Sequence, residues 1–373
     1  MLVPLRRGIL TTSALTLLLI AVQSWAEEYP VAPTKHLPAL KSLSPGGHFV
    51  LEIRAMQGGI GSAAASVPNE IGVFELDTHR EYRWDLADDV LQRLDPQNAM
   101  QRAAWSPTLN KLFYAALDKA VLFSRDGRAE PLTMKMPGHL KALDGMSTYA
   151  LSADGRFIAY QLYTRDVGDR QPDGFGRLYQ DVMYQGTPGS PPISLAQGVI
   201  PVSLDWNPDG SALAYATADG QLVIVNRAGK PLLSIHPGPP HQDFGSSDFI
   251  SQIRWDPTGQ RIGLLMGPKR QLFVVNRDGT HLKATEFRIL GVMVHDVPIY
   301  SFAWSPDGRQ FVFRSSYLAL DKCNVLALGY LIDTGHLPCT GARNLFTSNA
   351  DGSNLSRITP SYDYSAGQLF WIQ

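Results

Sequence analysis

Apolar and polar positions along this chain fall into a recurring unit: a short apolar run, a tight polar corner, and a second apolar run coming straight back. The corners read Leu43-Ser44-Pro45-Gly46-Gly47, Trp105-Ser106-Pro107, Leu151-Ser152-Ala153-Asp154-Gly155, Trp206-Asn207-Pro208-Asp209-Gly210, Trp255-Asp256-Pro257-Thr258-Gly259 and Trp304-Ser305-Pro306-Asp307-Gly308. A frayed copy, Tyr364-Ser365-Ala366-Gly367, lies near the end. In the fullest form Pro presets φ, Asp hydrogen-bonds the local backbone and Gly takes the positive φ. The returning runs, among them Phe49-Val50-Leu51-Glu52-Ile53, Phe157-Ile158-Ala159-Tyr160 and Phe311-Val312-Phe313, are strand signals bounded by turn residues.

A second hairpin follows in several units. Val121-Leu122-Phe123 precedes Arg125-Asp126-Gly127, Leu222-Val223-Ile224-Val225 precedes Asn226-Arg227-Ala228-Gly229, and Leu272-Phe273-Val274-Val275 precedes Asn276-Arg277-Asp278-Gly279. Two hairpins per unit make a four-stranded antiparallel sheet. Units begin about 46 to 62 residues apart, the spacing of propeller blades. The pattern therefore predicts an all-β chain: a single β-propeller of four-stranded antiparallel blades. Six blades are expected, with seven as the alternative. Tyr364 to Ile372 is either half of a seventh blade or strand that closes the ring against the first, pairing otherwise exposed edges. Trp105, Trp206, Trp255 and Trp304 hold one equivalent position, where a flat ring can wedge between neighbouring blades.

The run from Trp304-Ser305-Pro306-Asp307-Gly308 to Phe311-Val312-Phe313, then Leu345-Phe346-Thr347-Ser348-Asn349-Ala350-Asp351-Gly352, resembles the repeat of the TolB-like (WD40-like) propeller family. The resemblance covers roughly residues 38 to 373. It implies the propeller fold and points to cell-envelope protein partners. Members such as TolB carry an α/β domain ahead of the propeller, and peptidase relatives carry a hydrolase domain after it. Here only about a dozen residues separate the expected leader from the first blade, and the chain ends at Gln373.

The leader itself is legible. Arg6 and Arg7 precede an apolar stretch from Ile9 to Val22, and Ser24-Trp25-Ala26 is a small-x-small cleavage site. The stretch is about 14 residues, short of the roughly 20 that span a bilayer. The expected organisation is a cleaved signal peptide over 1–26, a short extension over 27–37 and the propeller over 38–373, exported to the periplasm, with no membrane span after cleavage. Secretion is the alternative destination. Net charge is −1 and becomes −3 when Arg6 and Arg7 leave with the leader, giving no basic footprint for nucleic acid. Export places the two cysteines, Cys323 and Cys339, in an oxidising compartment, where a disulfide closing a loop of about 15 residues would contribute about 3 kcal/mol.

Blade topology then sorts the connections. With strands A to D numbered outward from the axis, A–B and C–D turns share one face; B–C and D–to–next–A connections share the other. The tight corners are A–B and C–D turns. The long segments Ala55–Asn69, Thr164–Gly176 and Ser316–Gly341 read as B–C insertions. Leu86–Gln101, Thr133–Ser147, His236–Phe249 and Arg288–Pro298 read as D–A connectors. Long loops on a rigid scaffold are where binding groups concentrate. The binding candidates on that face are Asp166, Asp169 and Arg170 in a polar loop, His236, His241 and Asp243 on one connector, and His295 and Asp296 on the next.

No cofactor motif is present, and no Gly-x-Ser-x-Gly elbow. The recurring Ser is a turn residue. His and carboxylate side chains suit divalent metals, but their spacing here matches no known ligand pattern, so no metal is assigned. The expectation is a monomeric, non-catalytic periplasmic propeller that acts as a protein–protein interaction module of the cell envelope. The alternative is a propeller enzyme, lyase or hydrolase, with a metal or acid–base site where the channel meets the loop-rich face.

Overall fold

The computed structural model describes residues 35–37, 47–53, 70–85, 102–116, 119–133, 146–170, 176–185, 191–196, 201–217, 220–237, 250–267, 270–289, 292–293, 297–315, 344–358 and 368–373. Among them there is no helix, and none therefore long and apolar enough to cross a membrane. The strands build six radial sheets. Blade one holds β1 (Lys35–Leu37), β2 (Phe49–Ile53), β3 (Glu70–Glu75) and β4 (Arg80–Asp85). Blade two is β5 (Arg102–Ser106), β6 (Lys111–Ala116), β7 (Lys119–Ser124) and β8 (Ala129–Thr133). Blade three is β9 (Met146–Leu151), β10 (Ile158–Arg170), β11 (Gly176–Gln185) and β12 (Ile193–Ala196). Blade four is β13 (Pro201–Trp206), β14 (Ala212–Thr217), β15 (Leu222–Asn226) and β16 (Pro231–Ile235). Blade five is β17 (Ile250–Trp255), β18 (Arg261–Met266), β19 (Gln271–Asn276) and β20 (Lys283–Ala284). A small hairpin, β21 (Arg288–Ile289) with β22 (Val292–Met293), follows it. Blade six is β23 (Ile299–Trp304), β24 (Gln310–Ser315), β25 (Asn344–Asn349) and β26 (Ser356–Arg357). The last strand, β27 (Gln368–Ile372), returns to blade one.

That return settles how the ring closes. β27 pairs antiparallel with β2, from Phe49↔Ile372 to Ile53↔Gln368. It fills the inner position of blade one, so the described residues build no seventh blade. β1 adds on the far side of the same sheet as a fifth strand, parallel to β4. Inner strands β5, β9, β13, β17, β23 and β27 touch their neighbours in that order and back to β5, surrounding a central channel.

Packing follows from the two-residue period of each strand. Both faces of a blade meet another blade, so strands such as Phe49–Ile53 and Ala212–Thr217 are buried at every position. Alternate side chains go to opposite neighbours. Phe49, Leu51 and Ile53 join Leu112, Tyr114 and Phe123 of blade two, while Val50 joins Val312 and Leu345 of blade six. Six such clusters exist, one at each of the six seams, which a closed wheel of six requires. A fully buried Phe or Leu contributes about 1.5–3 kcal/mol. The repeated Trp sits in these seams. Trp206 packs on Phe157 of blade three at 5.9 Å, and the Trp304 indole N–H donates to the Arg254 carbonyl of blade five at 3.1 Å.

The corners behave as their chemistry dictates. Gly308 has φ +69°, a left-handed value that an L side chain resists, and its N–H donates to the Ser305 carbonyl at 2.8 Å. Asp307 accepts from the Ser305 hydroxyl and from the Arg309 amide; these two bonds hold its carboxyl below the usual range. One connection departs from expectation. Thr164–Gly176, read from its polar and glycine content as a loop, is largely a strand pair: β10 continues to Arg170 and β11 starts at Gly176, with Asp166 paired to Arg177. Asp166, Asp169 and Arg170 therefore lie on β10. Backbone pairing overrides composition here, because the hairpin propagates outward from the sheet.

Candidate functional site

Inner strands of a wheel splay away from one another, so their outward N–H groups cannot reach a neighbouring carbonyl as in a ladder. Side chains supply the acceptors instead. Between blades four and five, Ile253 N–H donates to Ser203 Oγ at 3.0 Å and Trp255 N–H to Asp205 Oδ2 at 2.7 Å. Between blades five and six, the Gln252 amide clasps the Phe302 backbone: Nε2 donates to the carbonyl at 3.2 Å and Oε1 accepts from the N–H at 3.3 Å. Between blades one and two, Gln368 Oε1 accepts from Ala103 N–H at 2.8 Å.

These strands run toward the tight-corner face, where the channel widens into a cavity of about 390 Å³. Register explains its lining. Ile372 pairs with Phe49 as Trp304 pairs with Phe311, so Trp371 is equivalent to Ala303. The residues preceding the repeated corner position thus form one level: Ala104, Ala150, Asp205, Arg254, Ala303 and Trp371, one from each blade, and all six line the cavity. Three are Ala, which leaves room. Two are charged. Arg254 approaches Asp205 at 3.8 Å and lies 5.9 Å from the Phe370 ring centroid. Asp205 keeps 21% of its side-chain surface and lines a cavity walled by protein. Burial therefore dominates and pushes its carboxyl up to about 6, against the opposing pull of the Arg254 charge and the Trp255 and Trp206 amides. A second, open-sided groove of about 600 Å³ at the outer rim lies between Leu232 and Leu233 of blade four and Asn276, Arg277 and Asp278 of blade five.

The candidates from the sequence fall elsewhere. All six B–C and D–A segments longer than ten residues or closing the ring, at 54–69, 86–101, 134–145, 238–249, 316–343 and 359–367, join strand ends on the face opposite the cavity. His236 is exposed just past β16. His241, Asp243, His295 and Asp296 lie outside the described residues, as do Cys323, Cys339 and the leader. Among the described residues no group of three or more His, Cys, Asp or Glu side chains could hold a metal ion. Asp205 and Arg254 were not anticipated. Their signal was present, since both immediately precede the repeated Trp, where two other blades have Ala.

Comparison with solved structures agrees with this architecture. TolB from Acinetobacter baumannii superposes with TM-score 0.51 at 11% identity, over 87% of this chain and 66% of that one. The fold is a β-propeller shared with TolB. A chain from the nidogen/laminin complex superposes with TM-score 0.53 at 9% identity, over 88% of this chain and 99% of that one. A chain assigned as TolB from Agrobacterium tumefaciens aligns at 14% identity and TM-score 0.47, over 87% of this chain and 97% of that one. No family model and no curated protein matches the sequence.

Proposed function

We propose that this chain is a non-catalytic periplasmic propeller acting as a protein–protein interaction module of the cell envelope. The observation that carries the reading is the arm of blade three. β10 and β11 stay paired from Leu162↔Asp181 to Asp166↔Arg177, beyond the last β9 pair at Leu162↔Met146. At about 3.3 Å per residue, Tyr163–Arg170 reaches roughly 20–25 Å past its sheet. The arm leaves from the face whose strand ends the long connections join, and Asp166, Asp169 and Arg170 are positions near the end of β10. A paired hairpin that extends past its own sheet offers a partner an exposed backbone edge and charged positions to engage. Kinship of fold with TolB and with a chain crystallised in a protein–protein complex supports the same reading.

Within it, the signal peptide is removed after Ala26, Cys323 and Cys339 form a disulfide, and the mature protein is a monomer. A photo-crosslinking residue placed at Asp166 or Arg170, with Arg309 on the opposite face as control, tests the assignment in intact cells. Crosslinks to one defined protein from the arm positions but not from the control are expected. No crosslinks, or equal ones from all three positions, would overturn it. N-terminal sequencing should start at Glu27, and intact mass should show both thiols oxidised.

A further inference from the structure

The channel mouth on the tight-corner face is chemically lopsided, and that asymmetry specifies a ligand. Ala104 and Ala150 on one side of the ring and Ala303 on the other leave room, while Trp371 and Phe370 of blade one give an apolar wall across from Asp205. Asp205 and Arg254 are the two charged side chains in the lining. The Arg254 side chain is only 17% exposed, yet its guanidinium makes no hydrogen bond to any described residue. Its contacts are the long 3.8 Å approach to Asp205 Oδ1 and the face of Phe370. Asp205 is held in place from behind, where Oδ2 accepts the Trp255 N–H. A guanidinium this withdrawn from bulk water needs acceptors, and its Nη1 faces Asp205 Oδ1 across 3.8 Å.

We propose that the channel mouth binds a small carboxamide carried on an apolar ring. The carbonyl oxygen accepts from Arg254, the amide N–H donates to Asp205 Oδ1, and the ring lies against Phe370 and Trp371. A planar amide presents an acceptor and a donor side by side, which completes the separated pair without adding charge. A carboxylate would satisfy Arg254 but face Asp205; an amidinium would satisfy Asp205 but face Arg254. The volume of about 390 Å³ falls at the lower end of small-molecule sites. This site stands apart from the arm and does not depend on the interaction reading.

Three isosteric probes test it on the mature protein: benzamide, benzoate and benzamidine, titrated by calorimetry and by ligand-observed NMR. Benzamide should bind one to one and roughly tenfold more tightly than either charged analogue, the scale of one charged hydrogen bond. Arg254→Met should weaken benzamide by about the same factor. Ala104→Leu, which takes up part of that room and leaves both charges in place, should abolish binding; circular dichroism checks that each variant is folded. Saturable binding absent up to the solubility limit would overturn the proposal. So would a charged analogue that binds as tightly as benzamide, or folded variants that bind it like the parent.

Discussion

The seam where the wheel closes contains a buried ion pair, and its removal makes a quantitative prediction. Glu52 on β2 and Arg314 on β24 face each other across blades one and six, both with 0% side-chain exposure. Arg314 Nη2 donates to Glu52 Oε2. The period of β2 puts Glu52 on the same face as Val50, among Val312, Leu345 and Leu369. An ion pair in such surroundings recovers in Coulomb attraction roughly what it loses in desolvation, so the pair as a whole is close to neutral. Half of it is not. Glu52→Gln removes the charge that a buried guanidinium donates to, and Arg314→Met removes the charge facing a buried carboxylate; each should cost about 3–5 kcal/mol. Glu52→Leu combined with Arg314→Met should cost under about 1 kcal/mol, or stabilise, because apolar side chains complete the existing cluster.

Urea unfolding followed by tryptophan fluorescence gives the double-mutant cycle directly. The location adds a second readout. β27 is held to the ring by β2 and by this seam, so the single variants should speed amide exchange at Gln368–Ile372 before the rest of the wheel. Single variants within about 1 kcal/mol of the parent, or a double variant whose loss equals the sum of the singles, would refute the reasoning.

Other consequences follow from the same geometry. Asp205, whose folded carboxyl titrates near 6 against about 3.9 in an unfolded chain, binds its proton more tightly when folded. Its contribution to stability is therefore gained as pH falls from about 6 toward 4 and lost on the way up; Asp205→Asn should remove about 2 kcal/mol of that difference between urea melts at pH 4.5 and 7.5. Equal pH dependence in parent and variant would contradict the site's description. Gln252→Ala deletes both bonds to the Phe302 backbone and should lower stability by about 2 kcal/mol, with Gln252→Leu no better, since the deficit is polar. Gly352 has φ +89°, and a Cβ there would sit 2.2 Å from the Glu286 carbonyl oxygen; Gly352→Ala should cost at least about 2 kcal/mol in the same melts.

The corners were legible because each demands a residue with a special backbone: Gly210, Gly259 and Gly308 all adopt the positive φ their position in Pro-Asp-Gly and Pro-Thr-Gly turns requires. The closing strand was harder. Blade one's inner strand, Gln368–Ile372, is not followed by a corner, since its partner β2 lies at the other end of the chain. Nothing local marks such a pairing, only the absence of an apolar run just before Leu43. The arm of blade three was misread as loop for a related reason. Alternation signals a strand only where a sheet has a buried face, and β10 past Leu162 runs beyond β9. Asp205 and Arg254 stood out against the Ala that precedes Trp105 and Trp304, but that contrast gains meaning only once the structure shows that this position of each inner strand lines the channel.

A repeat protein separates structural from functional residues by a test other folds lack. What the scaffold needs recurs from blade to blade: a corner Gly in blades three to six, a corner Pro and a seam Trp in blades two, four, five and six. Chemistry specific to this molecule must therefore reside where blades differ at an equivalent position. Two such departures concern charge. Glu52 and Arg314 share a strand position that is apolar in three other blades (Ala115, Ala216, Leu265) and Gln161 in blade three; both are sealed in a seam at 0% exposure, so their difference is spent on ring closure. Asp205 and Arg254 occupy a level that is Ala in three other blades, and they open onto a cavity with room beside them. Packing does not require them, because Ala serves at the same position; the seam uses Asp205 only through Oδ2, which accepts the Trp255 N–H, and is otherwise joined through Ser203 and a dense apolar cluster, so neither Asp205 Oδ1 nor Arg254 is taken up by it. Arg254, a charge the scaffold can do without, stands 3.8 Å from Asp205 Oδ1 beside open volume, where the proposed carboxamide would bridge the two.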